Sequence, residues 1–201
     1  MNGNNSIENI IVADADYIDG VAFNLIVNFE RMLGRRIPQA DIARWAECIA
    51  LDGGVRVQEP ADTLPQTQVI IIHDYAKQQL SNFVPSTYAT ELNGQAFKSS
   101  LGEFTICTVS GEGLVGREEL FADTLQTVAA YDGLKRLMVI PDERLFPQLR
   151  PTLDRLDNGD LRITVFSMQP MTGGSFRQEI LGYSLMQALG IRSDEISAAM
   201  N

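Results

Sequence analysis

Five short apolar runs, each of strand length, are spaced along the chain with helical periodicities between them. They are Ile10-Ile11-Val12-Ala13, Val69-Ile70-Ile71-Ile72, Phe104 to Val109, Leu137-Met138-Val139-Ile140 and Leu161 to Phe166. The runs are continuous rather than alternating in polarity, which is the pattern of strands buried on both faces. Between the first two, Ile18, Val21, Ala22, Leu25, Ile26, Phe29 and Leu33 recur at three- and four-residue spacing and predict a helix over 17–34. Pro38 suits the first turn of a second helix with Ile42, Trp45, Ala46 and Ile49 inward and Gly53-Gly54 at its end. A third helix is expected over 117–131, with Leu120, Phe121, Leu125 and Val128 inward. Pro147 and Pro151 interrupt the next segment, so a short helix should begin only near Pro151. A further helix is expected over 175–189 with Gly190 as its C-terminal cap, and Ser193 suits the cap of a last one.

This alternation predicts an α/β fold, a Rossmann-like three-layer sandwich with a mainly parallel sheet of about five strands. The 201 residues read as a single domain. The segment 77–102, rich in Ser, Asn, Thr and Gln, breaks the alternation and reads as a surface insertion or a hairpin turning at Asn93-Gly94.

Composition narrows the functions such a fold could carry. A net charge of -10 opposes non-specific binding to nucleic acid or to an anionic membrane. No run of about 18 apolar residues is present, so no membrane-spanning helix is expected. Residues 1–6 lack the basic and apolar regions of a signal peptide. Cys48 and Cys107, far apart in apolar surroundings, read as reduced core thiols of a cytoplasmic protein. His73 is the one histidine, which excludes multi-histidine zinc sites. Neither a G-x-S-x-G elbow nor a Walker loop occurs.

In open α/β sheets, ligands bind beyond the C-terminal ends of the strands, near a reversal of strand order. The polar residues at those ends are Asp14 and Asp16, His73-Asp74, Ser110 to Gly116, and Pro141-Asp142. Two carboxylates one residue apart can hold a hard divalent cation, although Asp16 also suits the N-cap of the first helix. Asp14 has no obvious capping role. Glu118, Glu119 and Asp123 occupy the first turns of the third helix, where the helix dipole favours acids in any case.

Asp14-Ala15-Asp16 after the first strand, the acidic helix with Glu118, Glu119 and Asp123, and Val139-Ile140-Pro141-Asp142-Glu143-Arg144-Leu145-Phe146-Pro147 together resemble the NYN branch of the PIN-like nucleases. The resemblance implies metal-dependent RNA cleavage, with Mg²⁺ or Mn²⁺ held by Asp14, Asp142 and Glu119 or Glu118. It implies Asp14, Asp16, Glu118 and Asp142 as the catalytic set, with a metal-bound water attacking the phosphodiester. Arg144 stands where the family has a further Asp, and Pro141 replaces its Gly. An inactive relative is therefore one of the readings.

Other readings stay open. The chain could be a catalytically inert α/β binding or interaction module. Gly111, Gly113 and Gly116 fit G-x-G-x-x-G between a strand and a helix, as in nucleotide or dinucleotide binding, although Glu112, Glu118 and Glu119 would oppose a pyrophosphate there. Asp14-Ala15-Asp16 also resembles the first motif of haloacid-dehalogenase-type phosphohydrolases. That resemblance implies Asp14 as nucleophile and Asp16 as acid–base, with Ser110 and Lys135 on the phosphate. Six basic residues, Lys135, Arg136, Arg144, Arg150, Arg155 and Arg162, cluster in sequence and could form a patch for RNA, or could pair with Asp154, Asp157 and Asp160.

Overall fold

The computed structural model describes residues 7–56, 64–157 and 159–199. Strand β1 (Asn9–Asp14) is buried along its whole length and forms the middle of a seven-stranded sheet. On one side it pairs in parallel with β3 (Gln66–Ile72), which pairs in parallel with β6 (Gly102–Val109). On the other side lies β7 (Arg136–Ile140), followed by β8 (Arg162–Ser167) and β9 (Arg177–Ile180), all parallel. Only β5 (Ala96–Ser99), at the β6 edge, runs antiparallel. The chain therefore steps outward from β1 to β6, then crosses back to β7. The order reverses between β1 and β7, whose C-terminal ends carry Asp14 and Asp142.

Successive strand residues point to opposite faces, and the two faces build two cores. Ile11, Ala13, Val69, Ile71, Met138 and Ile140 face the helices α1 (Ala15–Leu33), α2 (Ile42–Asp52) and α5 (Leu181–Ala188), meeting Trp45, Ile49 and Leu185. Ile10, Val12, Ile70, Ile72, Leu137 and Val139 face α3 (Arg117–Ala129) and α4 (Phe146–Leu156), meeting Phe121, Leu125, Leu149 and Leu153. The fold is thus an α/β sandwich. A two-residue ribbon of β2 (Ala40–Asp41) and β4 (Phe83–Val84) and a terminal helix α6 (Ser193–Ala199) complete it.

Several local expectations change. The sheet has seven strands rather than about five, because both edge strands are short and polar. β9 occupies the first half of the segment expected to be helical from Ser175. Asp41 caps α2, accepting from the Arg44 amide at 2.9 Å, so Pro38 lies before the helix rather than in it. α4 begins at Phe146, with Pro147 in its first turn, where an imide nitrogen costs nothing, and it continues through Pro151. Within 77–102, Tyr88–Leu92 forms a single π-helical turn. The hairpin turns between Ser99 and Gly102, not at Asn93-Gly94. Leu80, Phe83, Tyr88 and Leu92 of that segment are buried in the first core.

Candidate functional site

At the C-terminal end of β1, Asp14 is fully buried and caps α1, its Oδ1 accepting from the Tyr17 amide at 2.9 Å. This is the capping role the sequence suggested for Asp16. Asp16 instead sits in the first helical turn. Asp142 follows the end of β7 by two residues and is also buried, with Oδ1 accepting from the Arg144 amide at 3.0 Å.

The centre of this edge is held by Arg117, the first residue of α3. Its Nε lies 3.1 Å from Asp14 Oδ2, its Nη1 pairs with Asp16, and its Nη2 lies 3.9 Å from Asp142 Oδ2. The Asp14 contact is electrostatic, since neither Asp14 Oδ2 nor the Arg117 Nε–H makes a hydrogen bond. Lys77 Nζ reaches Asp16 at 2.7 Å from the outside. Arg144 closes over Asp142, with Nε 3.0 Å and 3.1 Å from its two oxygens. Three carboxylates thus meet three cations supplied by the chain itself.

The electrostatics follow from this arrangement. Burial pushes the Asp14 carboxyl above the usual range, against the pull of the Tyr17 amide and Arg117. The hydrogen bond from Arg144 holds Asp142 below it. A second knot ties the same edge together. Tyr17 Oη donates to Glu143 Oε1 at 2.7 Å, and that oxygen also accepts from the Met168 amide at 2.8 Å and the Gln169 amide at 3.1 Å.

The remaining sequence candidates fall elsewhere. Glu118 and Glu119 are exposed and line a groove of about 520 Å³ with Leu145, Gln148 and Leu149. Asp123 is exposed one turn further along α3. Among the described residues, no three His, Cys, Asp or Glu side chains converge to hold a metal ion. Gly111, Gly113 and Gly116 line a cavity of about 260 Å³ with His73, Asp74, Tyr75 and Arg117. His73 stacks on Tyr88 with ring centroids 3.9 Å apart, and its Nδ1 lies 2.9 Å from the Asp74 carbonyl oxygen. Lys135 is bound to Glu8 at 2.7 Å, at the opposite end of the sheet from Asp14, so it cannot share a phosphate with that residue. The six basic residues that could have formed a patch or paired with nearby acids are split. Arg144 pairs with Asp142 and Arg150 with Asp154, while Arg155 turns back on its own helix. Only Lys135, Arg136 and Arg162 share the N-terminal edge of the sheet.

Arg117 was absent from the sequence candidates, although a signal existed. A cation at the first position of a helix opposes the macrodipole and needs a nearby acid to hold it.

A family model matches residues 4–196. The chain belongs to DUF6621, a family of unknown function. No curated protein and no solved structure matches it. DUF6621 membership brings no chemistry with it, so the residues themselves must show whether a divalent cation fits. They do not fit one in this arrangement, because the Arg117 guanidinium stands between Asp14, Asp16 and Asp142 where such an ion would lie. No helix among the described residues is long and apolar enough to cross a membrane.

Proposed function

We propose that the chain is a Rossmann-like, catalytically inert α/β domain, a degenerate relative of the PIN/NYN-type nucleases that serves as a binding module. The observation that carries this reading is Arg117, whose guanidinium touches Asp14 and Asp16 and approaches Asp142. A covalently tethered cation neutralises the acid cluster without generating a nucleophile. A metal would supply both charge and an activated water, whereas a guanidinium supplies only the charge. Arg144 on Asp142 acts in the same direction.

The test is a thermal melt with and without millimolar Mg²⁺ or Mn²⁺, alongside an RNA-cleavage assay. Neither ion should raise the melting temperature of the wild type, and no metal-dependent cleavage should appear. A Mn²⁺-dependent rise that vanishes in Asp14→Asn, together with cleavage, would return the site to a metal-dependent nuclease.

A second reading has one observation in its favour. The cavity of about 260 Å³ beside Arg117, walled by the 111–116 loop and Tyr75, has room for a small ligand fragment such as part of a nucleotide. Saturable AMP binding lost in Gly113→Ala would support it.

A further inference from the structure

At the opposite end of the sheet, three arginines converge on an otherwise acidic protein. Arg136 opens β7 and is directly paired with Arg162, which opens β8. Paired residues of neighbouring parallel strands project to the same face. Arg136 shares its side of β7 with Met138, which packs against Gly53 at the end of α2, so both arginines lie on the α2 face. The turn after α2 runs over them. A Cβ placed on Gly54 would sit 3.8 Å from Arg136 Nε, and Arg56 follows two residues later.

These three groups are poorly matched by acids. Arg136 Nε is buried and makes no hydrogen bond, and its Nη1 reaches only the Asn9 amide oxygen at 3.5 Å. Arg56 spends one Nη on the Leu51 and Val55 carbonyls, both at 2.7 Å. None of the ion pairs seen among the described residues includes Arg56, Arg136 or Arg162, whereas the neighbouring Lys135 and Arg177 are each paired with a glutamate. Among the described residues, acids near this end include Glu8, which is engaged by Lys135 at 2.7 Å, Asp52, which the charge of Arg56 attracts, and Asp160, two residues before Arg162, which has a partner of its own. Burial and the charges of Arg162 and Arg56 depress the Arg136 guanidinium below its ordinary range.

We propose that Arg56, Arg136 and Arg162 form a binding site for a phosphate group, independent of the Arg117 cluster. Guanidinium forks match phosphate oxygens in pairs, and a bound dianion would relieve the mutual repulsion of the three arginines. The ligand is a small phosphate rather than a polymer. Of the arginines between Arg136 and Arg162, Arg144 and Arg150 are engaged by Asp142 and Asp154 and Arg155 turns back on its own helix, so these described residues offer no track for successive phosphates.

The test is titration of the full chain with inorganic phosphate and with ribose 5-phosphate at fixed ionic strength, followed by ³¹P NMR or calorimetry. Saturable binding should weaken at least tenfold in Arg162→Gln and in Arg136→Lys, and less than twofold in Lys135→Gln. Arg162 is exposed, so its variant reports binding without disturbing the fold. Tighter binding of the monoester would identify an organic phosphate as the ligand, and equal binding would identify free phosphate. Absence of saturation at tens of millimolar, equal weakening in all three variants, or tighter binding of single-stranded RNA than of either small phosphate would overturn the proposal. Phosphate binding that survives Arg117→Met keeps this site separate from the strand-end cluster.

Discussion

The guanidinium of Arg117 lies 3.1 Å from the carboxylate of Asp14, which is fully buried at the end of the central strand. The pair joins the 111–116 loop to the middle of the sheet and places a fixed positive charge among three acids. Arg117→Met removes that charge and keeps most of the aliphatic bulk. It should cost about 3 kcal/mol in urea denaturation, the lower end of the range for leaving a buried charge without its partner. The lower end applies because the Arg117 side chain keeps 20% of its exposure and water can enter. The double variant Asp14→Asn/Arg117→Met should lose clearly less than the sum of the single losses. Additive losses would show that the two groups do not interact.

The parallel sheet was legible because its inner strands are unbroken apolar runs, and Asp14 and Asp142 were legible because they end two of those runs. The edge strands were not. β5 and β9 carry polar residues, and edge strands need no double-sided burial, so their sequences lack the signal that marks β1 or β7. α4 passes through Pro151, which local rules read as a starting point, since Leu149 and Leu153 on either side are anchored in the second core. Arg117 was obscured for a different reason. Its role depends on the loop that returns β6 to the neighbourhood of β1, a long-range placement that no local spacing encodes.

Stability should respond to pH in opposite senses at the two buried acids. The Asp14 carboxyl is raised in the folded state, chiefly by burial, so its folded form holds the proton longer than the unfolded chain does. Its contribution is present below the ordinary carboxylate value of 3.8 and is lost as pH rises through the folded value. Asp142 is lowered, chiefly by its hydrogen bond from Arg144, so its contribution is present above 3.8 and is lost as pH falls through the folded value. Denaturation of Asp14→Asn from pH 4 to 7 should show the variant gaining on the wild type as pH rises. Asp142→Asn should be destabilised at pH 7 by an amount that shrinks below about pH 3.8. The same trend in both variants would contradict these environments.

Two glycines of the loop before α3 should behave differently. The Gly111 carbonyl accepts from the Leu114 amide at 2.8 Å and the Val115 amide at 3.3 Å, and a Cβ on Gly111 would come within 2.2 Å of the Val115 carbonyl oxygen. Gly111→Ala must therefore open the turn that delivers Arg117. Gly116 has a φ of -66°, and nothing lies within 4 Å of where its added methyl group would stand. Gly111→Ala should cost about 1–3 kcal/mol, as expected where the backbone must distort, and Gly116→Ala should be within about 0.5 kcal/mol of wild type. Thermal melts of the two variants side by side decide it. If both are neutral, the loop does not constrain Arg117.

Tyr17 connects three elements through one hydroxyl. It donates to Glu143 after β7 and accepts from the Met168 amide, 3.1 Å away, after β8. Tyr17→Phe keeps the ring and deletes both bonds, leaving Glu143 Oε1 with the Met168 and Gln169 amides alone. The loss should be about 1–2 kcal/mol, the scale of one net hydrogen bond plus a partly unsatisfied partner. Burial, and then the hydrogen bond to Glu143, hold the phenol well above its ordinary ionisation range. Burial raises the Tyr88 phenol in the same direction, so two tyrosines should resist ionisation in an ultraviolet titration, and Tyr17→Phe should lower that count to one. Amide exchange should also speed up at Met168 and Gln169 in that variant, because the carboxylate that receives their N–H groups is no longer pinned by the hydroxyl. Unchanged exchange there would mean that Glu143 holds the loop without help from α1.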